Sequence, residues 1–171
     1  MEPVIVFYRK AVLLLLLSAS FSFVNAQNSK KEKDSIQAQT IKGLIDAKRF
    51  VFQAQSASPM RGGRRNLTYG YTLLMSNDSL VSDLPYMGRA FSAGYGSNDG
   101  GIKFTSTKFE STVKDRKKEG WDINVKPSDV SNIELLIITV HESGSASLQV
   151  KTRDREPISF DGYIEEPKSR K

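Results

Sequence analysis

At Phe50 the hydrophobic period of this chain drops from helical to two, and it never lengthens again. Before that point Ile36, Thr40, Ile41, Leu44 and Ile45 recur at helical spacing, with Ser35 as a candidate cap and Asp34 favourable beside it. One helix is therefore expected from Ser35 to about Lys48. Gly43 weakens it by about 1 kcal/mol relative to alanine, so packing against the later strands must hold it. After Phe50 come short alternating runs broken by Gly, Pro, Asn, Asp and Ser at close intervals. Runs this closely spaced leave no room for the helical crossovers that parallel strands need. The expectation is a mainly β fold: an antiparallel sandwich or barrel of about eight strands, with one N-terminal α-helix packed on it.

The strands read off in order. Phe50, Phe52, Ala54 and Ser56 share one face of a run that ends at Pro59. A basic glycine-rich loop, residues 58–66, comes next. Leu67, Tyr69, Tyr71, Leu73 and Met75 then alternate, and Ser76-Asn77-Asp78-Ser79 turns the chain back into Leu80–Leu84. Ile102–Phe109 and Glu110–Val113 come after a glycine-rich stretch, residues 94–101. Trp121, Ile123 and Val125 make a half-buried strand closed by Pro127. Ile133–Val140 shows almost no polar alternation and is expected at the centre, forming the core with Trp121. Ala146–Val150 and a run through Ile158 and Phe160 complete the set.

The densest local signal is Leu84-Pro-Tyr-Met-Gly-Arg-Ala-Phe-Ser-Ala93. Pro85 and Gly88 account for a bend. Tyr86, Met87, Arg89 and Phe91 exceed what a bend requires, and such residue types are enriched at contact surfaces. Tyr86, Arg89 and Tyr95 are therefore the candidate ligand- or partner-binding residues. A structural role competes at Arg89, whose planar guanidinium can bridge carbonyls across the corner or pair with Asp83 or Asp99.

Arg9 and Lys10 precede an apolar run from Ala11, and Val24-Asn25-Ala26 forms a small-residue cleavage pattern. Residues 1–26 are read as a signal peptide, too interrupted by Ser18, Ser20 and Ser22 for the roughly 20 apolar residues of a membrane span. A flexible leader at 27–35, a single β-rich domain at 36–165 and a basic tail at 166–171 complete the organisation, with a periplasmic or secreted location. Removing Arg9, Lys10 and Glu2 takes the net charge from +6 to +5. Much of the excess sits in terminal lysines and arginines, which argues for solvated tails and against a nucleic-acid partner. The absence of cysteine excludes disulfides, a thiol nucleophile and a lipoprotein anchor.

Chemistry-bearing constellations are sparse. His141 is the single histidine, beside Glu142 at a strand end, and lacks further metal ligands of its type. No serine stands in a nucleophile elbow. Arg61-Gly62-Gly63-Arg64-Arg65 suits an anion by charge but lacks a phosphate-loop pattern, and reads as a solvated loop. No cofactor, metal or catalytic residue is expected. A carboxylate-dependent hydrolase built on Asp83 with Glu110 or Asp122 is the enzymatic alternative, and a purely structural envelope scaffold is a third.

Four stretches together carry a family resemblance: Arg49-Phe-Val-Phe-Gln-Ala-Gln-Ser-Ala, Leu84-Pro-Tyr-Met-Gly-Arg-Ala, Gly100-Gly-Ile-Lys-Phe and Pro157-Ile-Ser-Phe-Asp-Gly-Tyr-Ile. Over roughly residues 40–165 the chain resembles an exported Bacteroidetes family catalogued as a domain of unknown function. The Pro-Tyr-x-Gly-Arg-Ala signature is its most specific part. The resemblance implies location and single-domain size, and transfers no functional residue. Asp34-Ser35-Ile36 and Asp78-Ser79-Leu80 resemble the short O-glycosylation signals of that phylum. The resulting expectation is a non-catalytic binding or interaction module of the bacterial envelope, its partner an envelope protein or a small ligand.

Overall fold

The computed structural model describes residues 32–90, 100–117 and 120–168; the expected signal peptide, Tyr95 and Asp99 lie outside them. Helix α1 covers residues 32–46. Residues 32–35 of the expected leader are helical, so Ser35 lies inside the helix and does not cap it. Glu32 and Asp34 suit that end of a helix electrostatically. At the other end Lys48 takes a positive φ of 49°. The Lys48 N–H donates to the Ile45 carbonyl and the Arg49 N–H to the Leu44 carbonyl, a left-handed cap that closes the helix and aims the chain into the first strand. Residues 38–46 belong, with the whole sheet, to one compact unit, Ala38–Lys171. No helix among the described residues is long and apolar enough to cross a membrane.

Among the described residues nine strands succeed the helix: β1 Phe50–Pro59, β2 Arg65–Met75, β3 Leu80–Leu84, β4 Ile102–Ser106, β5 Phe109–Asp115, β6 Trp121–Pro127, β7 Ile133–Val140, β8 Ser145–Thr152 and β9 Ile158–Glu165. They form one sheet in the order β4-β3-β2-β1-β9-β8-β7-β6-β5, with every neighbouring pair antiparallel. Alternation through that order gives β4 and β5 the same direction, and only Thr107 and Lys108 separate them. They are two halves of one bent strand, the first paired to β3 and the second to β6. The two edges of the sheet are thus one stretch of chain, and the sheet wraps into a nearly closed, barrel-like form. With β4 and β5 taken as one, eight strands surround it.

The interior is filled by side chains. Phe50, Phe52, Leu73, Leu136, Leu148 and Phe160 are fully buried, and Ile41 and Ile45 of α1 join the same core. Trp121 takes its expected place there at 7% exposure. β7 is flanked on both sides and alternates in burial despite its apolar sequence, because a single-layered wall has an outer face. The wall is pulled in where β1 bulges between Ala54 and Ser56. A Cβ on Gly162 would collide with the Gln53 carbonyl there, so β9 approaches β1 only through a glycine.

Candidate functional site

The corner after β3 is held from inside. The Tyr86 hydroxyl lies 2.7 Å from the Arg89 carbonyl and 3.0 Å from the Glu156 carbonyl, tying its own turn to the β8–β9 connection. The Glu156 N–H donates to the Arg89 carbonyl at 3.0 Å, and Ala90 bridges to Arg155. The Tyr86 ring folds back over Gly88: an added Cβ there would stand 2.5 Å from the Tyr86 oxygen, so the ring would have to move aside. Burial and then the Glu156 charge push the Tyr86 phenol above its ordinary pKa range, while the Arg155 guanidinium pulls it back.

The guanidinium that bridges carbonyls across this corner belongs to Arg155. It sits 5.0 Å from the Tyr86 ring centroid and donates through Nη1 to the Gly100 carbonyl at 2.9 Å. Arg89 contributes its main chain. Its side chain is exposed and makes no ion pair among the described residues. Asp83 faces Lys103 at 3.7 Å instead. Of the three sequence candidates, Tyr86 is thus committed internally, Arg89 is exposed, and Tyr95 lies outside the described residues.

A second joint holds the bend between β4 and β5. Asp129, in the β6–β7 connection, accepts from the Ser106 hydroxyl at 2.5 Å and from the Thr107 and Lys108 N–H groups at 2.8 and 3.1 Å. The Ser106 hydroxyl, and after it the Thr107 N–H, hold its carboxyl well below the usual carboxylate range, at about 2. The point where the bent strand changes partners is therefore clasped by a carboxylate from the β6–β7 connection.

Beside the Asp129 clasp its neighbours face the other way. Val130 and Ser131, with Pro127, Lys126, Glu110 and Arg153, line an open groove of about 530 Å³. Lys126 and Arg153 are exposed and have no ion-pair partner among the described residues. Pro127 and Val130 supply an apolar floor between cationic and hydroxyl groups, a composition suited to a small polar ligand. The Arg153 N–H donates to the Asn132 carbonyl at 3.0 Å, so both walls are tied together by main chain. Sequence reasoning missed this site, since its residues come from three separate stretches.

A family model described as a domain of unknown function, DUF4251, matches residues 32–164. The chain belongs to this family. The match runs from α1 to the penultimate residue of β9 and includes both joints and the groove. A crystal structure of a DUF4251 family protein from Bacteroides eggerthii DSM 20697 is similar in fold, with a TM-score of 0.57 at 13% sequence identity, over 79% of this chain and 91% of that one. No curated protein matches the chain.

The remaining features singled out in the sequence of this family member have ordinary surroundings. Arg61 and Arg64 of the basic loop lie 3.6 Å from Glu156 and 3.5 Å from Asp161, so two of its cations already face carboxylates. His141 opens the β7–β8 turn, exposed, with its N–H donating to the Ser145 carbonyl. The three carboxylates of the enzymatic alternative are set apart from one another in their contacts. Asp83 faces Lys103, Asp122 accepts from the Thr139 hydroxyl and faces Arg116, and Glu110 lies on the groove rim.

Proposed function

We propose that this DUF4251 protein is an exported, non-catalytic binding module of the bacterial cell envelope that takes a carboxylate-bearing ligand in the Lys126–Arg153 groove. The observation that carries this reading is the pair of uncommitted cations flanking an apolar floor. Elsewhere Arg155 at the corner and Arg61 and Arg64 of the basic loop already have internal partners. Two cations against Glu110 give the groove a net positive rim, which attracts carboxylates and weakens with salt. Export is supported by the charge, apolar run and cleavage pattern of residues 1–26, and is checked by an intact mass beginning at Gln27.

The binding test is fluorescence anisotropy with two labelled probes, a short polyglutamate peptide and an oligomer of uronic acid. Both carry carboxylates; one is a peptide and one a glycan, so the preferred probe identifies the source. Binding that falls with added salt and is lost in Lys126→Ala/Arg153→Ala is the expected result. No binding of either probe, or binding indifferent to that double substitution, overturns the reading.

A further inference from the structure

β5 is the second half of the bent strand and one of the two terminal strands of the sheet. It pairs only with β6, and Glu110, Thr112, Val113, Lys114 and Asp115 are all exposed. An exposed edge with free backbone donors and acceptors is a template for another strand unless something blunts it. Charged side chains commonly do the blunting, but here their arrangement is particular. Glu110 and Lys114 stand symmetrically about Thr112 on the outer face, opposite in sign.

We propose that this edge pairs with the same edge of a second copy of the chain, antiparallel and centred on Thr112. In that register Glu110 meets Lys114 of the second copy, and Lys114 meets its Glu110. The charges continue inward on both sides, because β5 and β6 set Glu110 beside Lys126 and Lys114 beside Asp122. Across four strands the row reads Lys126, Glu110, then Lys114 and Asp122 of the second copy: alternating sign throughout, and repeated by the two-fold axis. Opposite charges directly across a strand pair are favourable and like charges unfavourable. Neighbouring registers lose this. Centring on Ser111 sets Lys108 against Lys114. Centring on Val113 leaves Lys114 against Thr112 and asks Glu110 to meet Arg116, which already faces Asp122 at 3.6 Å. An isologous contact of this kind closes on itself and does not propagate. The match spans residues 110–114, so the contact is small and the dimer a reversible one.

Glu110 also lies on the groove rim, so the dimer is read by association and by Lys114, which does not line the groove, apart from probe binding. Sedimentation velocity across the micromolar range tests the proposal, with thermal melts confirming that each variant folds. Wild type is expected to pass from monomer to dimer as concentration rises. Glu110→Lys places like charges opposite each other twice and weakens the dimer about tenfold or more, and Lys114→Glu does the same from the other side. The double variant Glu110→Lys/Lys114→Glu restores wild-type association. A wild type that stays monomeric overturns the proposal. So does a dimer indifferent to the single changes, or a folded double variant that fails to recover.

Discussion

The Tyr86 corner and the Lys126–Arg153 groove differ in how far their side chains are committed to internal contacts. The corner holds the most conspicuous run in the chain, with two aromatics, a methionine and an arginine in and just beyond a proline–glycine bend. Its Tyr86 hydroxyl and the Arg89 and Glu156 main chains are turned on one another. The groove is assembled from residues that look ordinary where they stand, and its Lys126 and Arg153 are free of internal ion pairs among the described residues. Conspicuous chemistry can be what a fold spends on its own closure, and availability shows only once partners are counted.

The largest stability loss expected at either region is Gly88→Ala. The new methyl would stand 2.5 Å from the Tyr86 oxygen, and relieving that overlap costs about 1–3 kcal/mol. Chemical denaturation measures it, and a near-wild-type midpoint would show that the ring need not fold back over its turn.

Asp129 sharpens the comparison from the groove side, because it holds the loop that presents Val130 and Ser131. Its carboxyl sits at about 2 against about 3.9 in the unfolded chain. The clasp therefore contributes fully above about pH 4 and is lost as pH falls toward 2. Melting temperature measured over that window is expected to drop more steeply in wild type than in Asp129→Asn, which starts lower. Parallel curves would show that the carboxylate does not fasten the bend.

Tyr86→Phe deletes the hydroxyl from two carbonyls while keeping the ring beneath Arg155, at a cost of about 1 kcal/mol. Arg89→Lys, by contrast, changes only an exposed side chain and is expected to shift stability by less than about 0.5 kcal/mol. A larger shift at Arg89 would return the pinning role to that guanidinium.

Legibility tracked sequence distance. Period-two alternation placed Phe50, Phe52, Trp121, Ile123 and Val125 correctly, since each strand's own pattern specifies which face is buried. The bend at Pro85–Gly88 was legible for the same local reason. Its fastening is of the expected kind, a guanidinium across carbonyls, but comes from a different residue. Arg155 reaches it from the β8–β9 connection, and no local pattern encodes which turn meets which across a barrel mouth. Asp129 was hidden likewise: Ser-Asp-x-Ser reads as a turn whether its carboxylate caps itself or clasps β4 to β5. The shared strand β4/β5 was half visible as a run from Ile102 through Val113, but its change of partner at Thr107–Lys108 depends on closure of the whole sheet.

The most direct test sets Tyr86→Phe beside Lys126→Ala/Arg153→Ala and reads melting and probe binding on both, using whichever labelled carboxylate probe the wild type binds. A crossed result is expected. Tyr86→Phe loses about 1 kcal/mol of stability and keeps wild-type affinity. The double variant stays within about 0.5 kcal/mol of wild type and loses binding. Binding lost with Tyr86→Phe and retained by the double variant would place the contact surface at the corner and contradict the division of labour between the two regions.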